Sequence, residues 1–279
     1  MTTPRRRPAP TFHPVEVTEI SQLTPGMRRI TLAGDKLASY PNDGPGTHFK
    51  LLLPAPGQAE VVLPAAGPDG GLVWPEPRPI RRTYTPRYVD REGRRLAVDF
   101  VLHGDGTGGT AGHGGPASAW AAAARVGDRT VVTGARGAYR IDSDAGWTLL
   151  VADETALPAV GTILDDAPAG ARVTLVAEVA GEDEHLEFGT MADLTTVWCH
   201  RDSGHAGFGT LAAQAVRELA LPAGSAGRGM CWVGLEASAM RVVRRHLLGD
   251  RGLEREQVYT RGYWKLGEAD HPDHDTGED

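Results

Sequence analysis

Cysteine is nearly absent from these 279 residues: only Cys199 and Cys231 occur, with no CxxC pair and no ligand-like spacing. A disulfide framework and a cysteine metal site are therefore excluded, and two reduced, buried thiols are expected. No apolar run approaches the roughly 20 residues that span a bilayer, so no stable membrane insertion is expected. Arg5-Arg6-Arg7 is followed by Pro-Ala-Pro-Thr-Phe-His-Pro where an export signal needs an apolar stretch, and the chain reads as cytoplasmic. Net positive charge is also missing: the formal charge is −7 and the pI about 5.8, which argues against nucleic acid as the main partner. No metal is expected, because His271-Pro272-Asp273-His274-Asp275 lies in an acidic tail whose composition reads as flexible.

What is present divides in two. Residues 1 to 13 read as a frayed basic N-terminus. From 14 to 145 the chain reads as short strands with turn punctuation: Val15 to Ile20, Met27 to Leu32, Phe49 to Leu53, Arg81 to Tyr88, Leu96 to Leu102 and Arg129 to Thr133. That spacing predicts a six-stranded antiparallel β-barrel, because sheet edges must be paired or covered. From 146 to 267 apolar runs at Thr148 to Ala152, Val173 to Val176, Thr195 to Trp198 and Met230 to Val233 alternate with helical segments at Leu157 to Asp165, Gly209 to Leu219 and Ser238 to Leu248. This is the pattern of a parallel α/β sheet with helices on both faces. Residues 268 to 279 form the acidic tail, expected to be disordered.

Arg82-Thr83-Tyr84-Thr85-Pro86-Arg87 is the densest chemistry in the chain. Its flat ring, two hydroxyls and two guanidinium groups match the needs of a flavin dinucleotide: a stacking surface, bonds to the reactive edge, and a fork for pyrophosphate. A strict strand would put Arg82, Tyr84 and Pro86 on one face and Thr83, Thr85 and Arg87 on the other, so a bend near Pro86 is expected. On its own the hexamer fits a half-exposed strand equally well.

Gly104 to Gly109 satisfies GxGxxG, yet the glycines continue to Gly115, so no helix can begin at Gly106 where a pyrophosphate would need its amides. The better helix start is Gly115-Pro116-Ala117-Ser118, with proline in the first turn and amides aimed at an anion.

Taken together these segments resemble the siderophore-interacting protein family, flavin-dependent ferric-siderophore reductases of the ferredoxin-reductase-like superfamily. The carrying segments are His48 to Pro54, Arg82 to Arg87, Asp99 to Gly104, Gly115 to Ser118 with Trp120-Ala121, Asp153 to Ala159, Trp198 to Arg201 and Gly262 to Gly267. The resemblance implies an FAD-binding barrel followed by a Rossmann-like NAD(P)H-binding domain. It implies a cofactor site of Arg82, Thr83, Tyr84, Thr85, Arg87, Asp99, Val101, Leu102, His103, Gly115, Pro116, Ala117, Ser118, Thr155 and Ala156. Tyr84 would stack on the flavin, Thr85 would bond near N5, and Arg82 would hold the pyrophosphate. Asp153, Glu154, Glu236 and Trp264 would lie on the nicotinamide side, with two carboxylates at Asp153-Glu154 penalising NADPH more than NADH.

The expected activity is reduction of a ferric siderophore, the partner and substrate, by electrons from NADH, NADPH or reduced ferredoxin passing through FAD. No side chain is expected to act as a catalytic acid or base. Ferric chelates are commonly anionic, so Lys50, Arg136 and Lys265 are the substrate-binding candidates. A monomer is expected. Two other functions stay open at this level: a reductase with another acceptor, and a siderophore-binding module without chemistry.

Overall fold

The computed structural model describes residues 10–68, 71–102, 115–203, 207–222, 227–268, 270–271 and 275–277. Its first half contains β1 (Phe12–Thr24), β2 (Met27–Ala33), β3 (Phe49–Leu53), the two-residue strands β4 (Ala65–Ala66) and β5 (Leu72–Val73), β6 (Ile80–Tyr84), β7 (Tyr88–Asp90), β8 (Arg95–Val101), the helix α1 (Pro116–Ala123) and β9 (Arg129–Thr133). Seven of these strands form one antiparallel sheet in the order β6-β3-β9-β1-β2-β8-β7, while β4 and β5 pair only with each other.

The order forces the shape. β6 and β7 are the opposite edges of the sheet, yet only Thr85, Pro86 and Arg87 join them. Such a link reaches at most about 14 Å, whereas seven strands laid flat span roughly 29 Å, so the sheet must curl until its edges meet. The expected strand Arg81 to Tyr88 thus breaks at Thr85-Pro86 into two, and the six-stranded barrel is a curled sheet of seven. Proline suits the gap, since its missing N–H would leave a hole in any ladder. Val17, Ile30, Leu32, Leu51, Val98, Phe100 and Val132 point inward and make the core of this half.

The second half contains β10 (Trp147–Asp153), α2 (Leu157–Asp165), β11 (Arg172–Val179), β12 (Asp193–His200), α3 (Thr210–Glu218), β13 (Gly229–Glu236), α4 (Ala237–Arg245) and β14 (Val258–Trp264). All five strands are parallel, in the order β12-β11-β10-β13-β14. Leu157, Val160 and Ile163 of α2 cover Leu150, Ala152 and Leu175 on one face. Ala212, Val216, Met240 and Val243 of α3 and α4 cover Leu149, Val151 and Val233 on the other. Strand order reverses between β10 and β13, and a crevice for ligands opens at such a switch point, at the C-terminal ends of the strands. β14 was not among the expected strands, and it carries Tyr263 and Trp264 to that edge.

Specific bonds join the halves. Gly26 N donates to Glu184 Oε1 at 2.7 Å, Thr24 Oγ1 donates to the same carboxylate, and Gly46 N donates to Thr162 Oγ1 at 2.8 Å. Arg87 reaches across to Asp165 over Gly161, where a Cβ would stand 2.7 Å from its Nε.

The acidic tail departs from expected disorder in one stretch. Asp275 pairs with Arg241 at 2.9 Å and its carbonyl accepts from Gly262 N at 2.9 Å, so residues 275–277 lie along β14 and α4. Among the described residues no helix is long and apolar enough to cross a membrane, and no cluster of three metal-ligating side chains occurs.

Candidate functional site

Tyr84 ends β6 with its ring centroid 4.5 Å from Phe100, which lies 5.6 Å from Trp120 of α1. This aromatic series ties α1 to the strand that bears the hexamer, and burial pushes the Tyr84 phenol well above its ordinary range. Arg82 shares the Tyr84 side of the pleat; its Nη1 donates to Arg81 O at 2.7 Å and lies 4.0 Å from the Asp270 carboxylate. Thr83, on the other side, accepts from Lys50 Nζ at 2.6 Å. Thr85 is buried in the gap between the sheet edges and faces Tyr263 of β14. One threonine therefore faces the far half of the molecule.

α1 begins at Pro116 behind Gly115, as the sequence predicts, and Gly115 itself offers no side-chain cap. A Cβ at Gly115 would meet nothing within 4 Å among the described residues. A half-buried tyrosine with an aromatic backing, threonine hydroxyls, a guanidinium and a helix start form the donor set that a flavin dinucleotide requires. Val101 and Leu102 sit half-buried at the end of β8, but the Leu102 amide is used by the β1–β2 hairpin, donating to Gly26 O at 2.8 Å. His103 and the Gly104 to Gly109 segment lie outside the described residues.

Two expected cofactor residues are engaged elsewhere. Both Asp99 oxygens accept from Arg29, at 2.6 and 2.8 Å, in a bidentate pair across β2 and β8. Arg87 is 8 % exposed, paired with Asp165 of α2 and stacked 4.2 Å from the Tyr88 ring. Its side chain joins the two halves of the molecule.

Across the crevice, Asp153 is the hub. It is 2 % exposed, and its Oδ2 accepts from Glu236 N and from Trp264 Nε1, each at 3.0 Å, while Oδ1 accepts from Thr155 N at 3.0 Å. Burial, reinforced by neighbouring Glu154, raises its pKa to about 6. One carboxylate thus ties the ends of β10, β13 and β14 together and fixes the Trp264 indole at the crevice rim. Ala156 is fully buried at the start of α2, and Gly234 leaves room there, since a Cβ would meet Tyr263 at 2.8 Å and Ala156 at 2.9 Å. Glu236 caps α4, accepting from Ser238 N at 2.7 Å and Ala239 N at 3.0 Å.

Glu154 pairs with Arg201, which also lies 3.4 Å from Glu178. Glu178 is fully buried and accepts from Gly209 N at 2.7 Å and Ala212 N at 2.9 Å at the start of α3. The sequence reading passed over Glu178, although an acid inside the apolar run of β11 was a visible signal: a buried carboxylate must find donors.

Of the basic candidates, Arg136 is bridged to His48, just before β3, by backbone bonds of 3.0 Å in both directions, while Lys50 Nζ is held by Thr83. Lys265 follows β14 and pairs with Glu268. The thiols are unpaired with each other, and burial raises Cys199 to about 11 and Cys231 to about 12, so neither is a ready nucleophile.

Residues 145–267 match the family described as siderophore-interacting protein, and residues 16–139 match the siderophore-interacting FAD-binding domain. The fold matches the crystal structure of a siderophore utilization protein from T. fusca with a TM-score of 0.80 and 34% identity, over 95% of this chain and 97% of that one. Ferric vibriobactin reductase ViuB of Vibrio cholerae is 28% identical over 247 residues, 88% of this chain and 87% of the relative. A protein of Escherichia coli named NADPH-dependent ferric-chelate reductase is 37% identical over 150 residues, 53% of this chain and 54% of its own length.

Proposed function

The chain belongs to the siderophore-interacting protein family, and on that premise we propose that it reduces the iron of a ferric siderophore with electrons from NAD(P)H, through bound FAD. The observation that carries this reading is that Arg82 of β6 stands 4.0 Å from Asp270, just beyond β14, with buried Thr85 facing Tyr263 beside it, which brings the flavin-fitting edge of the curled sheet against the ligand crevice of the parallel sheet. Two reactants can meet only where those two surfaces face each other.

FAD supplies the step from hydride to single electrons when bound. Each donor molecule carries two electrons, so it serves two ferric ions. Arg82 and the amides of Gly115 and Ala117 would hold the diphosphate, Tyr84 would present its ring, and Thr83 and Thr85 would supply hydroxyls. Asp153, with Thr155 and Ala156, orders the far wall and holds Trp264 against it. Lys50, Arg136 and Lys265 attract an anionic chelate and hold it near the open edge. Siderophores bind iron through hard oxygen donors that favour the trivalent ion, so reduction weakens the complex and frees the metal. No proton transfer by a side chain is needed.

A cytoplasmic monomer fits this role. Two free thiols suit a reducing compartment. Reduced ferredoxin is the alternative donor. The test is to purify the protein, record its visible spectrum, reduce it anaerobically with NADH, NADPH or ferredoxin, and add a ferric chelate with an Fe(II) trap. A flavin spectrum, bleaching by donor and Fe(II) formation are expected. A colourless protein with no affinity for added FAD would sink the reading.

A further inference from the structure

In a doubly wound parallel sheet a dinucleotide lies across the C-terminal ends of the strands. Its pyrophosphate meets the helix after the first strand, and its adenosine ribose meets the end of the second, where an acid takes ribose hydroxyls or an arginine takes a 2′-phosphate. Here the first strand is β10 and the second is β11. Glu178 lies at the end of β11, and Arg201 directly follows the neighbouring β12.

Arg201 is therefore the arginine of that corner, and it is already engaged. Glu154 holds one terminal nitrogen, Glu178 stands 3.4 Å from the other, and the guanidinium lies 5.0 Å from the Phe208 ring. The Arg201 side chain is 15% exposed and that of Glu154 12%. Glu178 cannot turn aside, because both of its oxygens hold the first amides of α3. With Asp153 beside them, three carboxylates surround one guanidinium.

We infer that Glu154 is a specificity-determining residue: by occupying Arg201 it makes NADH, and not NADPH, the preferred nicotinamide donor. The inference rests on the reading that a nicotinamide dinucleotide docks across this sheet. A 2′-phosphate brings close to two further negative charges. To gain a partner it must displace Glu154 from Arg201, and the displaced carboxylate then stays nearby, unpaired and poorly solvated. NADH presents a neutral ribose at the same place and leaves the ion pair intact.

The test compares flavin reduction in the FAD-loaded protein by NADH and by NADPH, for the wild type, E154Q and E154Q/R201Q. Calorimetric binding of 2′,5′-ADP and of 5′-AMP to the same proteins adds a readout that involves no electron transfer. The wild type is expected to favour NADH in kcat/KM by about tenfold or more, and E154Q to shrink that ratio by about tenfold, for an electrostatic contrast of this size at short range. E154Q should also strengthen 2′,5′-ADP relative to 5′-AMP, and R201Q added to it should remove the gain. A wild type that uses NADPH as well as NADH overturns the inference without any variant, as does an E154Q ratio that does not move. Failure of both nucleotides to reduce the flavin, with no binding of either adenosine phosphate, overturns the dinucleotide reading itself and this inference with it.

Discussion

Arg82 and Arg87 stand five residues apart in one hexamer, and alanine at each position separates the diphosphate role proposed for Arg82 from the bridge that Arg87 makes to Asp165. The Arg82 side chain is 24% exposed and its nearest carboxylate is 4.0 Å away, so it can turn its fork to a diphosphate. Replacing it removes one charge-assisted contact, worth about 1.5–3 kcal/mol, and FAD affinity should fall by about 10–100-fold. Arg82→Lys should recover part of the loss, since it restores charge but not the planar fork. Arg87 is 8% exposed and bound to an Asp165 side chain that is itself 38% exposed. Discounting that half-open pair for solvent, Arg87→Ala should cost roughly 1–2 kcal/mol of stability and leave FAD affinity within about threefold. The corresponding fall in Tm is about 3–6 °C. Fluorescence titration with FAD and calorimetric melting of both variants decide the matter. Equal loss of FAD affinity in the two, or normal affinity in Arg82→Ala, would refute the division of roles argued here.

Glu178→Gln should destabilise the second half by about 3–5 kcal/mol in urea unfolding, because it turns an amide N–H against a buried backbone donor and leaves Arg201 with Glu154 as its one remaining ion-pair partner among the described residues; a loss under about 1 kcal/mol contradicts the network. Asp153 titrates at about 6 in the folded chain against an ordinary 3.8, so its folded form binds a proton more tightly than its unfolded form. Its ionised state above pH 6 therefore weighs against folding, and lowering pH from 7 toward 4 should recover up to about 3 kcal/mol at this residue. Subtracting the stability profile of Asp153→Asn from that of the wild type isolates the effect, and a flat difference rejects it. Charge reversal at Lys50 or Lys265 should raise the apparent KM for an anionic ferric chelate with flavin content unaffected; unchanged kinetics in both remove them from the substrate path.

Much of the architecture was legible because it rests on local pattern. Leu157–Asp165 is found with the expected bounds, since a proline in the first turn and an apolar stripe specify a helix without reference to anything distant. The apolar runs of β10, β11 and β13 announced buried parallel strands for the same reason. β14 was harder: Val258 to Trp264 contains Arg261, Gly262 and three half-exposed aromatics, and only its place at the edge of the sheet makes it a strand. The expected strand from Arg81 to Tyr88 had the right composition throughout, but Pro86 sends its two halves to opposite edges of one sheet, a long-range outcome that propensity does not contain.

The sequence by itself determined the ingredients: which residues can stack, which can hold phosphate, where helices begin, and that one half is antiparallel and the other parallel. Those properties belong to single side chains and to spacings of two or three and a half residues. The tertiary structure decided how the ingredients are used. It drew Arg87 away to Asp165 and Asp99 to Arg29, set Thr85 against Tyr263, and placed Glu178 between α3 and Arg201. The reason is electrostatic and steric: a buried charge must find its partner wherever the fold delivers one, and that partner can stand 70 or more positions away along the chain, as Asp99 does from Arg29.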